Sequence, residues 1–136
     1  MNDKLNKNKS LLSIVELGGY PDFKDIYSQH QLDVEKTDSM RKAVKILKKM
    51  SPDIIVAEFN YQSDFRDRTS NLETLLAVLQ KKPDVKLIVF YEKEFAHQFK
   101  RVTERFVLPY TLAFPIDEEA LSNMVTKALT VDLGSL

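Results

Sequence analysis

The sequence predicts an α/β domain in which five strands alternate with five helices. Three observations carry this reading. Apolar runs at residues 54–57 (IIVA) and 85–91 (VKLIVFY) are too continuous for a sheet with one wet face, and they match strands covered on both sides. The segments between the strands repeat apolar residues at helical spacing, i, i+3, i+4, i+7. Each strand is followed by such a segment, so successive strands run parallel, with right-handed crossovers and helices on both faces. With 136 residues, 43% of them hydrophobic, the chain supports one core and so one domain.

Residues 1–10 are polar and Lys/Asn-rich and are expected to form a disordered tail, with the domain spanning 11–130 and residues 131–136 frayed. Residues 11–17 (LLSIVEL) read as the first strand, closed by Gly18, Gly19 and Pro21. Pro21 suits the first position of the next helix. Phe23, Ile26, Tyr27 and His30 share one face of that helix. Residues 32–36 form a short second strand. Thr37 or Asp38 then caps a second helix, which turns Met40, Ala43, Val44 and Leu47 inward and stops before Pro52.

The third strand, 54–57, ends at Glu58 and opens into a polar loop over 60–70, which is long for such a connection. Ser70 and Glu73 have capping-box spacing ahead of the stripe Leu72, Leu75, Leu76, Leu79. That helix closes at Lys81, Lys82 and Pro83, and the fourth strand, 85–91, follows. Phe95, Phe99, Val102 and Phe106 predict a fourth helix over 92–105 with an aromatic inner stripe, more plausibly core than cofactor box. Residues 107–114 form the fifth strand. Asp117 caps the last helix, with Glu118 and Glu119 in its first turn and Leu121, Met124, Val125, Ala128 and Leu129 facing inward.

Composition removes several function classes. Twenty Lys and Arg balance twenty Asp and Glu, so no net field draws the chain to nucleic acid or an anionic membrane. Without cysteine there is no disulfide, thiolate metal site or Cys nucleophile, and two histidines on separate helices leave little for zinc. The Gly18-Gly19 pair lacks the spacing of a phosphate-cradling loop. No metal or cofactor is expected. No apolar stretch reaches membrane-spanning length and residues 1–10 lack a secretion-signal core, so the reading is a cytoplasmic protein.

Residues 40–60, MRKAVKILKKMSPDIIVAEFN, together with the order of elements, resemble the receiver domain of bacterial response regulators, in which such a helix, Pro-Asp and apolar strand lead to a phosphoacceptor aspartate. Leu112-Ala-Phe-Pro115 resembles the end of the fifth receiver strand, where a Lys-Pro pair stands. The resemblance covers residues 11–129. It implies a three-layer flavodoxin-like sandwich with a five-stranded parallel sheet in the order 2-1-3-4-5.

The resemblance also shows what is missing. Receivers hold Mg²⁺ with two acidic residues after the first strand, and Glu16 and Leu17 stand there, so one ligand is lost. Glu58 matches the acceptor aspartate with an extra methylene. Tyr91 matches the phosphoryl-binding Ser or Thr, and Phe114 matches the charge-neutralising Lys. Phosphoryl transfer depends on charge compensation, so these departures together imply a degenerate, non-catalytic pseudo-receiver.

Alternatives stay open at each position. Glu58 is either a built-in phosphomimic or, more plainly, a solvated carboxylate at a strand end. Glu16 and Glu58, with an oxygen from Asn60, are a weak cation-site candidate. The basic outer face of the second helix, Arg41, Lys42, Lys45, Lys48 and Lys49, either docks an acidic partner or nucleic acid or merely meets solvent. In the long loop, Tyr61, Phe65, Arg66 and Arg68 have the residue types of interaction hot spots, unless Phe65 plugs the sheet and the arginines sit in water. Receiver-type pairing through the fourth helix, fifth strand and fifth helix implies a homodimer face with Gln98, Arg101, Arg105, Tyr110 and Thr111 exposed.

The expected function is therefore a stand-alone pseudo-receiver that acts through an unidentified protein partner in bacterial signalling. The alternatives are an atypical receiver that still takes a cation or phosphate near Glu16 and Glu58, and a small-molecule sensor with a cleft lined by Leu17 and Phe114.

Overall fold

The computed structural model describes residues 9–16, 22–60 and 72–134, with side chains described as far as residue 130. Five strands form one parallel sheet: β1 (Lys9–Ile14), β2 (Leu32–Thr37), β3 (Ile54–Glu58), β4 (Lys86–Tyr91) and β5 (Tyr110–Ala113), in the order β2-β1-β3-β4-β5. The five helices are α1 (Lys24–Gln29), α2 (Met40–Lys49), α3 (Leu72–Leu79), α4 (Ala96–Thr103) and α5 (Glu118–Gly134).

The strands sort their side chains by the two-residue period into two cores. Leu12, Ile14, Ile55, Ala57, Leu87 and Val89 pack with Leu47 of α2, Leu75 of α3 and Phe99 of α4. Leu11, Ile54, Val56, Ile88 and Phe90 face the other way, onto Ile26 and Tyr27 of α1 and Leu121 and Val125 of α5. The result is the expected three-layer sandwich, and the full burial of β3 explains why its sequence does not alternate.

Several boundaries differ from the sequence reading. β1 begins at Lys9 because Asp53 clamps it: the Ser10 N–H donates to Asp53 Oδ2 at 2.8 Å, and the Asp53 N–H donates to the Ser10 carbonyl at 3.0 Å. Lys9 and Ser10 therefore belong to the sheet and not to a tail. The strand ends at Ile14, short of the predicted Leu17, which with Gly18, Gly19 and Pro21 lies outside the described residues. Ser39 caps α2, its side chain accepting from the Lys42 N–H at 3.1 Å; Thr37 is unavailable because it is buried in β2 opposite Ile14.

A short 3-10 turn (Lys93–Phe95) precedes α4, which stops at Thr103, so only Phe99 and Val102 of the predicted stripe are buried. Phe95 and Phe106 pack on the margin of that core. β5 is confined to four residues at the sheet edge, and Val107 is 92% exposed where the strand was expected to start. Asp117 caps α5 as predicted, accepting from the Ala120 N–H at 3.0 Å, and the helix runs on to Gly134 through residues expected to fray.

Among the described residues no helix is long and apolar enough to cross a membrane.

Candidate functional site

The carboxyl ends of β1, β3, β4 and β5 share one rim of the sheet, the edge where open parallel sheets place their sites. Glu16 follows β1, Glu58 closes β3, Asn60 stands two residues on, Tyr91 closes β4 and Phe114 follows β5.

Glu58 does not stand in water: its residue is 3% exposed. Its Oε1 accepts the backbone N–H of Glu16 at 3.2 Å and the side-chain amide of Asn60 at 3.3 Å. The same Asn60 Nδ2 donates to Glu16 Oε1 at 3.2 Å. Ionised carboxylates only accept, so the amide must present its NH₂ end to both, and these charge-assisted bonds offset part of the cost of burying Glu58. Asn60 is thus a donor between two acids and not the oxygen ligand that the cation-site reading requires. Among the described residues no three His, Cys, Asp or Glu side chains group as metal ligands.

Aromatic packing fills the neighbouring positions. Phe90 pairs in register with Glu58 across β3 and β4. Its ring meets Phe23 edge-on at 5.8 Å and Phe114 at 5.7 Å. Tyr91 turns to the opposite face, stacked on Phe99 of α4 with centroids 4.6 Å apart and planes at 28°. Phe114 packs against the α1/α5 core, and its N–H extends the β4–β5 pairing by donating to the Tyr91 carbonyl at 2.8 Å.

Solved structures match the fold along nearly the whole chain. A response regulator receiver domain from Clostridium thermocellum superposes with a TM-score of 0.73 at 13% identity, over 94% of this chain and 99% of that one. The chain has the receiver fold. A signal receiver domain of an HD domain-containing protein from Pseudomonas fluorescens gives a TM-score of 0.72 at 12% identity, over 94% and 99% of the two chains. A two-component transcriptional regulator from Clostridium phytofermentans gives 0.74 at 14%, over 93% and 97%. No protein-family model matches the chain, and no curated protein matches it in sequence.

In this receiver-like domain the described residues proposed for partner contact differ in exposure. Arg101 is exposed on α4, whereas Arg105 is exposed but joined to Glu73 and laid over the Phe106 ring at 5.3 Å. Gln98, Tyr110 and Thr111 are half-buried and not exposed as expected: Tyr110 packs into the α1/α5 core, Thr111 pairs with Val89 of β4, and the side-chain oxygen of Gln98 on α4 is buried. Leu17, Tyr61, Phe65, Arg66 and Arg68 lie outside the described residues. His30, which the sequence left without a role, ties α1 to α5: its Nε2 lies 3.0 Å from the Ser122 hydroxyl.

The bridge over Glu16 and Glu58 gives a direct prediction. Asn60→Asp replaces a shared donor with a third carboxylate and should cost about 1–3 kcal/mol at neutral pH. Urea denaturation of the variant beside the wild type reads the loss.

Proposed function

We propose that this chain is a receiver-like domain that does not accept phosphate in the usual way and signals through protein contacts. The observation that carries the reading is the state of Glu58 at the acceptor position. Its carboxylate is buried, with Oε1 engaged by the Glu16 N–H and the Asn60 amide. A phosphoryl group placed there would need room, a cation and a hydroxyl donor. The strand ends that supply the last two in receivers carry Tyr91, stacked on Phe99, and Phe114, packed on Phe90.

Glu58 then serves as a fixed negative group that holds Glu16 and Asn60 in one arrangement. In this role the site is structural, and the output depends on which partner reads the surface. The exposed part of α4, with Arg101, and the edge strand β5 form the surface for pairing with a second copy or with a cytoplasmic signalling protein of a bacterial cell, in keeping with the receiver domains that share the fold.

Incubation with radiolabelled acetyl phosphate and Mg²⁺ tests the first half of the proposal. The chain should take up no label. Label that appears in the wild type and is lost in Glu58→Gln would overturn the reading in favour of an atypical receiver.

A further inference from the structure

The outer face of α2 has a chemical bias that the acidic rim does not explain. Arg41, Lys42, Lys45, Lys48 and Lys49 are all exposed, and the helix contains no acidic residue. Of these, only Lys42 has an acidic partner among the described residues, Asp38 at 3.0 Å. Among the described residues no carboxylate is joined to Arg41, Lys45, Lys48 or Lys49. Arg41 and Lys45, and Lys45 and Lys49, are one turn apart, an arrangement in which like charges oppose helix formation. The apolar face of α2 in the core supplies what holds the helix.

These cations are not spread over a flat surface. Arg41, Lys45 and Lys48 line a groove of about 560 Å³ that reaches across to Thr74 of α3. Met40 and the half-buried Val44 supply apolar lining, and Glu16 also lines the groove, so it adjoins the acidic pair.

We propose that this groove docks an acidic polypeptide segment that sets carboxylates against Arg41, Lys45 and Lys48 and an apolar side chain against Met40 and Val44. The proposal rests on the reading of the chain as a protein-contact module and adds to the α4/β5 surface a second face, with the chemistry of the partner it takes. Charge complementarity selects the sign. The lining selects polypeptide over nucleic acid: a continuous phosphate chain would meet the Glu16 carboxylate and leave the apolar wall unused, whereas a peptide can place its carboxylates only where the cations stand. A chain with no net charge also lacks the field that non-specific binding to nucleic acid needs.

The test is fluorescence anisotropy of a fluorescein-labelled helical peptide with Glu at i, i+4 and i+7 and Leu between them, titrated with the full chain at about 50 and about 150 mM NaCl. Saturable binding is expected, weaker at the higher salt. Lys45→Gln/Lys48→Gln should weaken it about tenfold, and Lys81→Gln/Lys127→Gln, with the same net charge, should leave it unchanged. Thermal melts of both variants establish that they are folded. Absence of saturable binding, equal weakening in both variants, or displacement of the peptide by a lower concentration of a single-stranded oligonucleotide of equal charge would overturn the proposal. A failure here leaves the acetyl phosphate result untouched, and label on Glu58 with peptide binding intact would sink only the earlier reading.

Discussion

Ile55→Asp is expected to abolish folding. Ile55 is the second residue of β3, fully buried, paired with Leu12 on one side and Leu87 on the other. Its side chain points into the core shared by α2, α3 and α4, where the residues around it are apolar. An aspartate there would either bury a charge without a partner or take up a proton and still lose the packing of a large aliphatic group. The cost, more than about 5 kcal/mol, is comparable with the whole stability of a small domain. Ile55→Val, which removes one methylene, should cost only about 0.5–1.5 kcal/mol. Circular dichroism and urea denaturation of the pair separate a core position from a tolerant one. A cooperatively folded Ile55→Asp chain would show that β3 is not the central strand.

Phe90→Ala has the second largest expected effect. Phe90 is 1% exposed and joins α1 to the end of β5 through its contacts with Phe23 and Phe114. Truncation leaves a cavity beneath the rim of the sheet and should cost about 3–5 kcal/mol, a fall in melting temperature of roughly 10–20 °C. Phe90→Leu, which keeps most of the volume but loses the edge-on ring contacts, should lose about 0.5–1.5 kcal/mol beyond the change in buried area. If Phe90→Ala melts with the wild type, the aromatic cluster does not stabilise this end of the domain.

The fold was legible wherever a single physical rule governed a segment. The bounds of β3 follow from an apolar run behind Pro52, and helical spacing gives the inward faces of α2 and α5, except that Val44, expected inward, is half-buried at the groove while Ile46 packs on the core. The reading failed where two rules overlapped. Phe95 and Phe106 continue the spacing of Phe99 and Val102, so the sequence shows one long helix where the chain forms a 3-10 turn, a short helix and an exposed loop. The start of β1 depends on Asp53, far away in sequence, and periodicity carries no information about such a clamp.

The candidate site was legible in its membership and not in its geometry. Glu16, Glu58 and Asn60 were named together from the strand-end positions, and the structure does bring them together. Their bonding reverses the expectation. A solvated Glu58 and an oxygen-donating Asn60 are replaced by a buried carboxylate and an amide NH₂, because two acids brought close at a sheet rim require a donor between them. The α2 groove was missed as a cavity for a related reason. A run of lysines reads the same in a sequence whether the surface behind it is flat or concave.

The central claim is that Glu58 holds the acceptor position without serving as an acceptor. Titration of the isotope-labelled chain with beryllofluoride and Mg²⁺, followed by amide ¹⁵N–¹H spectra, tests it most directly. The amides of Glu16, Glu58 and Asn60 should show no saturable shift. A saturable shift at these residues in the wild type that disappears in Glu58→Gln would contradict the claim and restore the chain to the receivers that take phosphate.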